Sequence, residues 1–259
     1  MKKSEGILGI DIGGTGIKMG ITDVSTGKLL TERFKYLTPK PGTVKAVTKV
    51  IKKSLKTHFP DYDGFVGVGF PAIIKQGVAW SATNVDDSWY HVNITKHFKK
   101  EFDRDFYVAN DADVAGIAEL TFGTGDYDRN GLIIFLTVGT GIGSAIFYNG
   151  EMIPNTEMGH LHFKGDIYER YVSNVARKKG NLSWKAWGKR FNGYLHHLDR
   201  LFSPDTVIIG GGISKRFDKF QDYINVNYRV IPASLKNEAG VVGASVFACS
   251  EARKKNKPG

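Results

Sequence analysis

Residues 8–23 read LGIDIGGTGIKMGITD, and residues 134–146 read IFLTVGTGIGSAI. Each stretch contains an apolar strand, a small polar residue, a turn rich in glycine and threonine, and a second apolar strand. This pattern predicts a β-hairpin, and Asn149-Gly150 after the second stretch is a further hairpin signal. Because the two copies begin about half the chain apart, we expect two similar α/β lobes, each opening with a hairpin whose turn faces a central cleft.

The rest of the chain alternates between helical and strand patterns, which is typical of an α/β protein. The predicted elements are helices at residues 43–59, 112–122, 183–202 and 240–252 and strands at residues 64–70, 106–110 and 206–209. We expect residues 1–112 to form the N-terminal lobe, joined by a C-terminal helix at 240–255. Residues 113–239 then form the C-terminal lobe.

The composition restricts the class of protein. Its 36 Lys and Arg against 26 Asp and Glu give a net charge of +10. Such an excess favours a polyanionic partner and equally suits solubility with a basic tail at residues 253–257. The single cysteine, Cys249, excludes an intramolecular disulfide, and no apolar run approaches the roughly 18 to 20 residues of a membrane helix. With no signal-peptide pattern at its start, we expect a cytoplasmic protein that does not bind a membrane.

Three glycine-rich turns follow predicted strands, at residues 13–16, 139–143 and 210–212, with Gly211 at the centre of the third. Backbone N–H groups in such turns are unobstructed by side chains and bind phosphate oxygens. None of the turns fits a Walker A loop or a dinucleotide fingerprint. Asp11 stands at the end of the first strand, where a carboxylate suits Mg²⁺ and its waters.

Two further polar pairs have the character of a sugar site. Asn110 and Asp111 lie where a predicted strand meets a helix, which stabilises a carboxylate anion and suits a base for a sugar hydroxyl. A plain helix cap is the alternative, and the phosphate turns favour the base. Glu157 and His160 lie in a predicted loop and can hold vicinal hydroxyls, although a lone histidine is often structural.

Four motifs occur in order along the chain, at residues 11–18, 110–113, 136–143 and 157–160. The ordered set resembles the ROK family (repressors, open reading frames and sugar kinases), and most of all its glucokinase branch that can use inorganic polyphosphate. The resemblance runs from about residue 7 to 247. It implies an actin-like (ribonuclease H-like) duplicated fold and a hexose kinase that phosphorylates the 6-hydroxyl of glucose from polyphosphate, ATP or both.

The resemblance also implies a role for each candidate residue. Residues for the donor phosphates are Gly13, Gly14, Thr15, Lys18, Thr137, Gly139, Thr140 and Gly141. Residues for the sugar are Asn84, Asn110, Glu157, His160 and Glu169. Asp111 would be the catalytic base, and Asp11 would lie beside Mg²⁺.

Two departures from the family pattern bear on function. Many ROK proteins carry a cysteine-rich zinc site after the Gly-His pair, but residues 161–170 contain no cysteine. We therefore expect no structural zinc, as in the polyphosphate-using branch, whose members also suggest a homodimer. ROK repressors place a DNA-binding winged helix before the first phosphate turn. This chain reaches Asp11 almost at once, so we expect no nucleic-acid partner.

Other functions stay open at this point. One is an ATP-dependent kinase for another hexose, such as mannose, or for an amino sugar, and another is a non-catalytic sugar sensor. Asp111 favours the enzyme, because a sensor needs no base. Basic residues after His160 are candidates for a polyphosphate track or, alternatively, for solvated helix faces. They are Lys164, Arg170, Arg177, Lys178, Lys179, Lys185, Lys189 and Arg190.

Overall fold

The computed structural model describes residues 6–82, 85–125 and 127–256. The strands are β1 (Ile7–Ile12), β2 (Gly16–Thr22), β3 (Phe34–Leu37), β4 (Val66–Phe70), β5 (Ile74–Lys75), β6 (Val78–Ala79), β7 (Phe106–Asn110), β8 (Leu132–Val138), β9 (Ile142–Tyr148), β10 (Glu151–Ile153), β11 (His162–Phe163), β12 (Asp166–Ile167), β13 (Thr206–Gly210) and β14 (Arg229–Pro232). The helices are α1 (Val44–His58), α2 (Ile94–Phe102), α3 (Asp111–Phe122), α4 (Glu169–Val172), α5 (Asn174–Lys179), α6 (Trp184–Phe202) and α7 (Ala239–Lys255).

The chain divides into two compact units. The first contains the residues up to Phe122 and those from Glu238 onward. Its sheet has the strand order β3-β2-β1-β4-β7, in which β1, β2 and β3 form an antiparallel meander and β4 and β7 continue in parallel. Leu8, Ile10 and Phe70 are fully buried within its core.

The second unit contains residues 123–237 and repeats this arrangement. Its sheet has the order β10-β9-β8-β13-β14, again with an antiparallel meander followed by parallel strands. The long helix α6 covers the sheet with the fully buried rings of Trp187, Phe191 and Tyr194. The strand order therefore repeats, as the two matching hairpin patterns predict.

The C-terminal helix α7 belongs to the first unit because its small residues allow unusually close packing. A Cβ atom at Gly243 would run into the carbonyl of Val114 on α3, and one at Gly67 on β4 would run into the carbonyl of Ala244. Since α3 packs on α7, the first unit extends to the end of α3. The boundary that the sequence predicts, after residue 112, lies inside the first turn of that helix.

Side-chain caps fix the starts of the two long amphipathic helices. The Thr43 hydroxyl accepts the N–H of Ala46 at 3.2 Å before α1, and the Ser183 hydroxyl accepts the N–H of Ala186 at 3.1 Å before α6. The helices predicted at 43–59 and 183–202 are thereby confirmed. None of the helices formed by the described residues combines the length and apolar character that crossing a membrane requires.

Candidate active site

The first glycine-rich turn joins β1 to β2. Gly13 and Gly16 exchange backbone hydrogen bonds of 3.0 and 3.3 Å, which closes a tight hairpin around Gly14 and Thr15. The hydroxyl of Thr38 donates to the Gly13 carbonyl at 2.5 Å and holds the turn from the side. Gly14 and Thr15 are exposed, and their N–H groups make no hydrogen bond to any described residue. The turn therefore presents free backbone donors of the kind that bind phosphate.

Asp11 and Lys18 lie opposite each other in the β1–β2 ladder beside this turn. The Lys18 ammonium is 2.5 Å from Oδ2 of Asp11, whose residue surface is only 9% exposed. Gly240, in the first turn of α7, approaches the same carboxylate. A Cβ at position 240 would lie 2.6 Å from Cγ of Asp11. The strand pair thus places a nearly buried carboxylate and a half-buried ammonium next to the exposed turn.

Asn110 and Asp111 stand at the junction of β7 and α3, as the sequence predicts. The side-chain oxygen of Asn110 accepts the N–H groups of Ala112 at 2.8 Å and Asp113 at 3.2 Å, and its amide donates to the Ala72 carbonyl at 3.1 Å. Asn110 is therefore the helix cap and is buried in that role. One carboxylate oxygen of the half-buried Asp111 also accepts the Ala112 N–H at 2.9 Å. Its position in the first helical turn favours the anion.

The second glycine-rich turn joins β8 to β9 in the second unit. The Gly139 N–H donates to the Gly141 carbonyl at 2.9 Å, and Thr140 is exposed at the tip. Two elements that follow later in the chain hold this turn. Glu169 of α4 accepts the N–H of Ile142 at 3.2 Å, and the N–H of Val175 in α5 donates to the Gly139 carbonyl at 3.4 Å.

The third glycine-rich turn packs against the end of β8. Gly211 has a φ of +73°, and a Cβ at this position would lie 2.7 Å from the carbonyl oxygen of Val138. The positive φ and the close approach both require a residue without a side chain, so this position must be glycine. The N–H of Ile213 donates to the same Val138 carbonyl at 3.3 Å. Gly211 therefore supports the strand that leads into the second glycine-rich turn.

Glu157 precedes, and His160 ends, a single 3₁₀ turn, Met158–His160, that rests on β9. The buried hydroxyl of Ser144 on β9 accepts the Met158 N–H at 3.0 Å and donates to the Thr156 carbonyl at 2.7 Å. Oε2 of Glu157 is 3.8 Å from Nδ1 of His160. Strand β9, which begins at the second glycine-rich turn, thus also supports the segment that contains the predicted sugar-binding pair.

Burial determines the acidity of Glu157. Loss of water around its carboxyl raises the pKa, the nearby His160 lowers it, and the negative charge of Glu169 raises it further. The net direction is upward from the ordinary value of 4.5. Glu157 and Glu169 are therefore close enough to interact, and both belong to the second unit.

The structure brings the predicted residues together within each unit. In the first unit these are Asp11, Gly13, Gly14, Thr15, Lys18, Asn110 and Asp111, and in the second they are Thr137, Gly139, Thr140, Gly141, Glu157, His160, Glu169 and Gly211. Asn84, which the resemblance assigns to the sugar, lies outside the described residues. Sequence reasoning missed Thr38, Ser144 and Gly240. Of these three residues, only Gly240 could have been noticed in the sequence, because it is a glycine at the start of a predicted helix.

The repeated sheet order, with a Gly/Thr turn between the first two strands of each unit, defines the class of this protein as a duplicated α/β fold of the actin-like type. Residues 7–180 match the ROK family. The chain belongs to the ROK family.

The similar proteins agree with this assignment. The chain is 39% identical over 244 residues to the polyphosphate glucokinase of Mycobacterium tuberculosis strain H37Rv, in a match that covers 94% of this chain and 91% of the relative. It is similar to the crystal structure of inorganic polyphosphate/ATP-glucomannokinase from Arthrobacter sp. strain KM, with a TM-score of 0.89 and 41% identity. That match covers 96% of this chain and 100% of the other. A ROK family glucokinase from Streptomyces griseus has the same fold, with a TM-score of 0.80 and 23% identity over 94% of this chain and 99% of the other.

Proposed function

We propose that this protein is a hexose kinase that transfers a phosphoryl group from inorganic polyphosphate or ATP to the 6-hydroxyl of glucose, with Asp111 as the base. The observation that carries the proposal is that Asn110 and Asp111 have different roles at the start of α3. Asn110 provides the helix cap, so the neighbouring carboxylate of Asp111 is not required as the cap. The likeness to a polyphosphate glucokinase over most of both chains supports the same activity.

Phosphoryl transfer from the donor to the sugar does not require a covalent bond to the protein. The 6-hydroxyl oxygen of the sugar forms a bond to the terminal phosphorus while the bond from that phosphorus to the rest of the donor breaks. Asp111 accepts the hydroxyl proton, and the leaving group is ADP or a polyphosphate shortened by one unit. Free N–H groups at Gly14 and Thr15 suit the charge that develops on phosphate oxygens.

Mg²⁺ would be held by Asp11 in this proposal, together with donor oxygens and water. The described residues contain no group of three or more side chains that could hold a metal ion. Mg²⁺ in phosphotransferases keeps several waters and takes one or two protein carboxylates, so a single nearly buried carboxylate fits it. When bound, the ion would offset the charge on the donor phosphates.

Glu157 and His160 would hold the sugar hydroxyls. A carboxylate accepts hydrogen bonds, and an imidazole can both donate and accept them, so the pair suits two vicinal hydroxyls. Mannose is a second candidate acceptor, because the similar Arthrobacter enzyme is named a glucomannokinase. Glucose and mannose differ at one hydroxyl centre, and this pair of side chains does not by itself select one of them.

The test is formation of glucose 6-phosphate by the purified protein, with polyphosphate and ATP supplied separately and Asp111→Asn as the control. Turnover with polyphosphate that the substitution abolishes supports both the donor and the base. Turnover with ATP alone removes polyphosphate from the proposal. With neither donor active on glucose or mannose, a kinase for another hexose or an amino sugar would be tested next. The sugar-sensor alternative would replace the kinase if those sugars also gave no product. The cytoplasmic location and the homodimer stay predictions, and light scattering of the purified protein would test the latter.

A further inference from the structure

Three cations in the second unit lie against aromatic rings. The Arg177 guanidinium is 4.1 Å from the centre of the Trp184 ring. The Arg190 guanidinium is 4.4 Å from the centre of the Tyr171 ring, and the Lys164 ammonium lies 5.4 Å from that same ring. We call Lys164, Arg177 and Arg190, with these two rings, the aromatic–basic surface. Ring contacts restrict long basic side chains and so reduce the entropy lost when they bind an anion.

These three cations have no acidic partner among the described residues. Within the part of the chain that the structure describes, no carboxylate lies within ion-pair distance of Lys164, Arg177 or Arg190. Arg177 meets only neutral acceptors, the side chain of Asn174 and the carbonyl of Leu182, both at 3.3 Å. Lys164 and Arg190 share one ring and repel each other, which a bound anion would relieve.

Among the other basic candidates, Arg170 is different because it pairs with Asp166 at 3.3 Å. Four exposed lysines extend the positive charge along α5 and α6. They are Lys178, Lys179, Lys185 and Lys189. Except for Lys164, which lies between β11 and β12, these cations without a carboxylate partner lie on the consecutive helices α5 and α6.

Two hydrogen bonds join the helices of the aromatic–basic surface to the second glycine-rich turn. Helix α5, which carries Arg177, begins next to the turn, where the Val175 N–H donates to the Gly139 carbonyl at 3.4 Å. Helix α4, which carries Tyr171, is joined to it by the 3.2 Å bond between Glu169 and the Ile142 N–H. The turn and the helices that carry Arg177 and Tyr171 are therefore held together by hydrogen bonds within one unit.

We propose that the aromatic–basic surface binds the part of a linear inorganic polyphosphate that lies beyond the reacting phosphoryl group. The proposal rests on the proposed function in that polyphosphate is taken as the donor. A polyphosphate carries a charge at every unit and gains from a row of cations, whereas ATP ends at its nucleoside. Nucleic acid fits less well, because stacking surfaces for bases leave ring faces open, and here cations lie over Tyr171 and Trp184.

The main experiment compares two triple variants with the same loss of charge. The test variant is Lys164→Gln/Arg177→Gln/Arg190→Gln. The control is Lys52→Gln/Lys53→Gln/Lys56→Gln, at exposed positions on α1 of the first unit. Binding of long-chain polyphosphate is measured without sugar at several salt concentrations, and the KM is measured for long-chain polyphosphate, tripolyphosphate and ATP.

We expect the test variant to bind long-chain polyphosphate about tenfold more weakly, with a shallower salt dependence, because fewer phosphate charges are neutralised. Its KM for long-chain polyphosphate should rise by a similar factor, while those for tripolyphosphate and ATP should change less than threefold. The control should change less than twofold throughout. Equal weakening in both triple variants would overturn the proposal, since net charge alone would then explain it.

Three further outcomes are decisive. Equal losses with ATP and polyphosphate would mean that the surface only supports the phosphate turn, which contradicts the proposal. Single-stranded DNA bound as tightly as polyphosphate, and lost in the same variant, would assign the surface to nucleic acid instead. Wild-type protein that binds polyphosphate here but forms no hexose phosphate from it would uphold the surface as a binding site and remove polyphosphate as a donor from the proposed function. If the triple variant does not fold, Lys164→Gln/Arg190→Gln tests the same prediction while keeping the hydrogen bonds of Arg177.

Discussion

Glu169 accepts a hydrogen bond from the backbone N–H of Ile142, with 3.2 Å between the carboxylate Oε2 and the amide nitrogen. Ile142 is the first residue of β9 and directly follows the second glycine-rich turn. The resemblance to the ROK family predicts Glu169 as a sugar ligand, a role that does not require this bond. Burial is the main cause of the raised pKa of Glu157, and the charge of Glu169 raises that pKa further. Glu169 therefore connects the second glycine-rich turn with the predicted sugar-binding pair, Glu157 and His160.

Replacing Glu169 with alanine should weaken the use of both substrates. Hydrogen bonds to charged groups contribute roughly 1.5–3 kcal/mol, so we expect the KM for donor and for glucose each to rise about tenfold or more. The matched control is Glu157→Ala. Among the described residues the Glu157 side chain has no hydrogen bond to the turn, so this substitution should raise the KM for glucose alone. Initial rates with each substrate varied in turn measure both effects. A change in the glucose constant alone in Glu169→Ala would mean that its bond to Ile142 does not affect the donor.

The carboxylate of Asp111 should be needed for turnover rather than for folding. In the wild-type protein the Ala112 nitrogen is 2.9 Å from a carboxylate oxygen of Asp111. Asp111→Asn keeps a side-chain oxygen that can accept this N–H, so the start of α3 should persist. General bases typically contribute about 10²–10⁴-fold, and we expect kcat to fall by that factor. The KM for glucose and the melting temperature should change little. Steady-state kinetics and calorimetry check this, and an unchanged kcat would remove Asp111 as the base.

Local patterns in the sequence predict much of this fold. The hairpin pairs, the start of α1 at Thr43 and the start of α6 at Ser183 all follow from residues that lie next to one another in the chain. The glycine-rich turns can also be predicted from neighbouring residues, because glycines clustered directly after an apolar strand favour a tight turn with exposed backbone N–H groups. A duplicated pattern also predicts the repeated strand order, since equal sequences of elements tend to pack alike.

Contacts between distant residues could not be predicted in this way. The Thr38 hydroxyl supports Gly13, and Gly240 approaches Asp11 from the opposite end of the chain. Neither contact leaves a periodicity or a motif. The pairing of Arg177 with Trp184 is likewise decided by how α5 meets α6, although both residues are visible in the sequence. The boundary between the units lies beyond residue 112 for the same reason, because the packing of α3 on α7 depends on Gly243.

A side chain at position 240 should disturb Asp11. In Gly240→Ala the new Cβ would lie 2.6 Å from Cγ and 2.7 Å from Oδ2 of that carboxylate, so one of the two must move. Overpacking of this kind costs about 1–3 kcal/mol, and kcat/KM should fall with both donors because Asp11 is displaced. The control is Gly193→Ala in α6, where a Cβ meets no atom within 4 Å and alanine should stabilise the helix by about 1 kcal/mol. Urea unfolding and donor kinetics test the pair, and unchanged kinetics in Gly240→Ala would show that Asp11 tolerates the shift.

The half-buried carboxyl of Glu157 should make stability depend on pH. Burial raises its pKa in the folded protein above the ordinary value of 4.5, so the folded state holds this proton more tightly than the unfolded state. Stability from this group is therefore complete below pH 4.5 and falls as the pH rises through the folded pKa. Glu157→Gln keeps the shape without the charge, and we expect it to melt at a higher temperature than wild type at about pH 7.5. The difference should shrink towards zero as the pH falls below 4.5. Melting curves across this range measure it, with the exposed Glu151→Gln as the control. A variant less stable than wild type at the higher pH would mean that attraction to His160 outweighs the cost of burial.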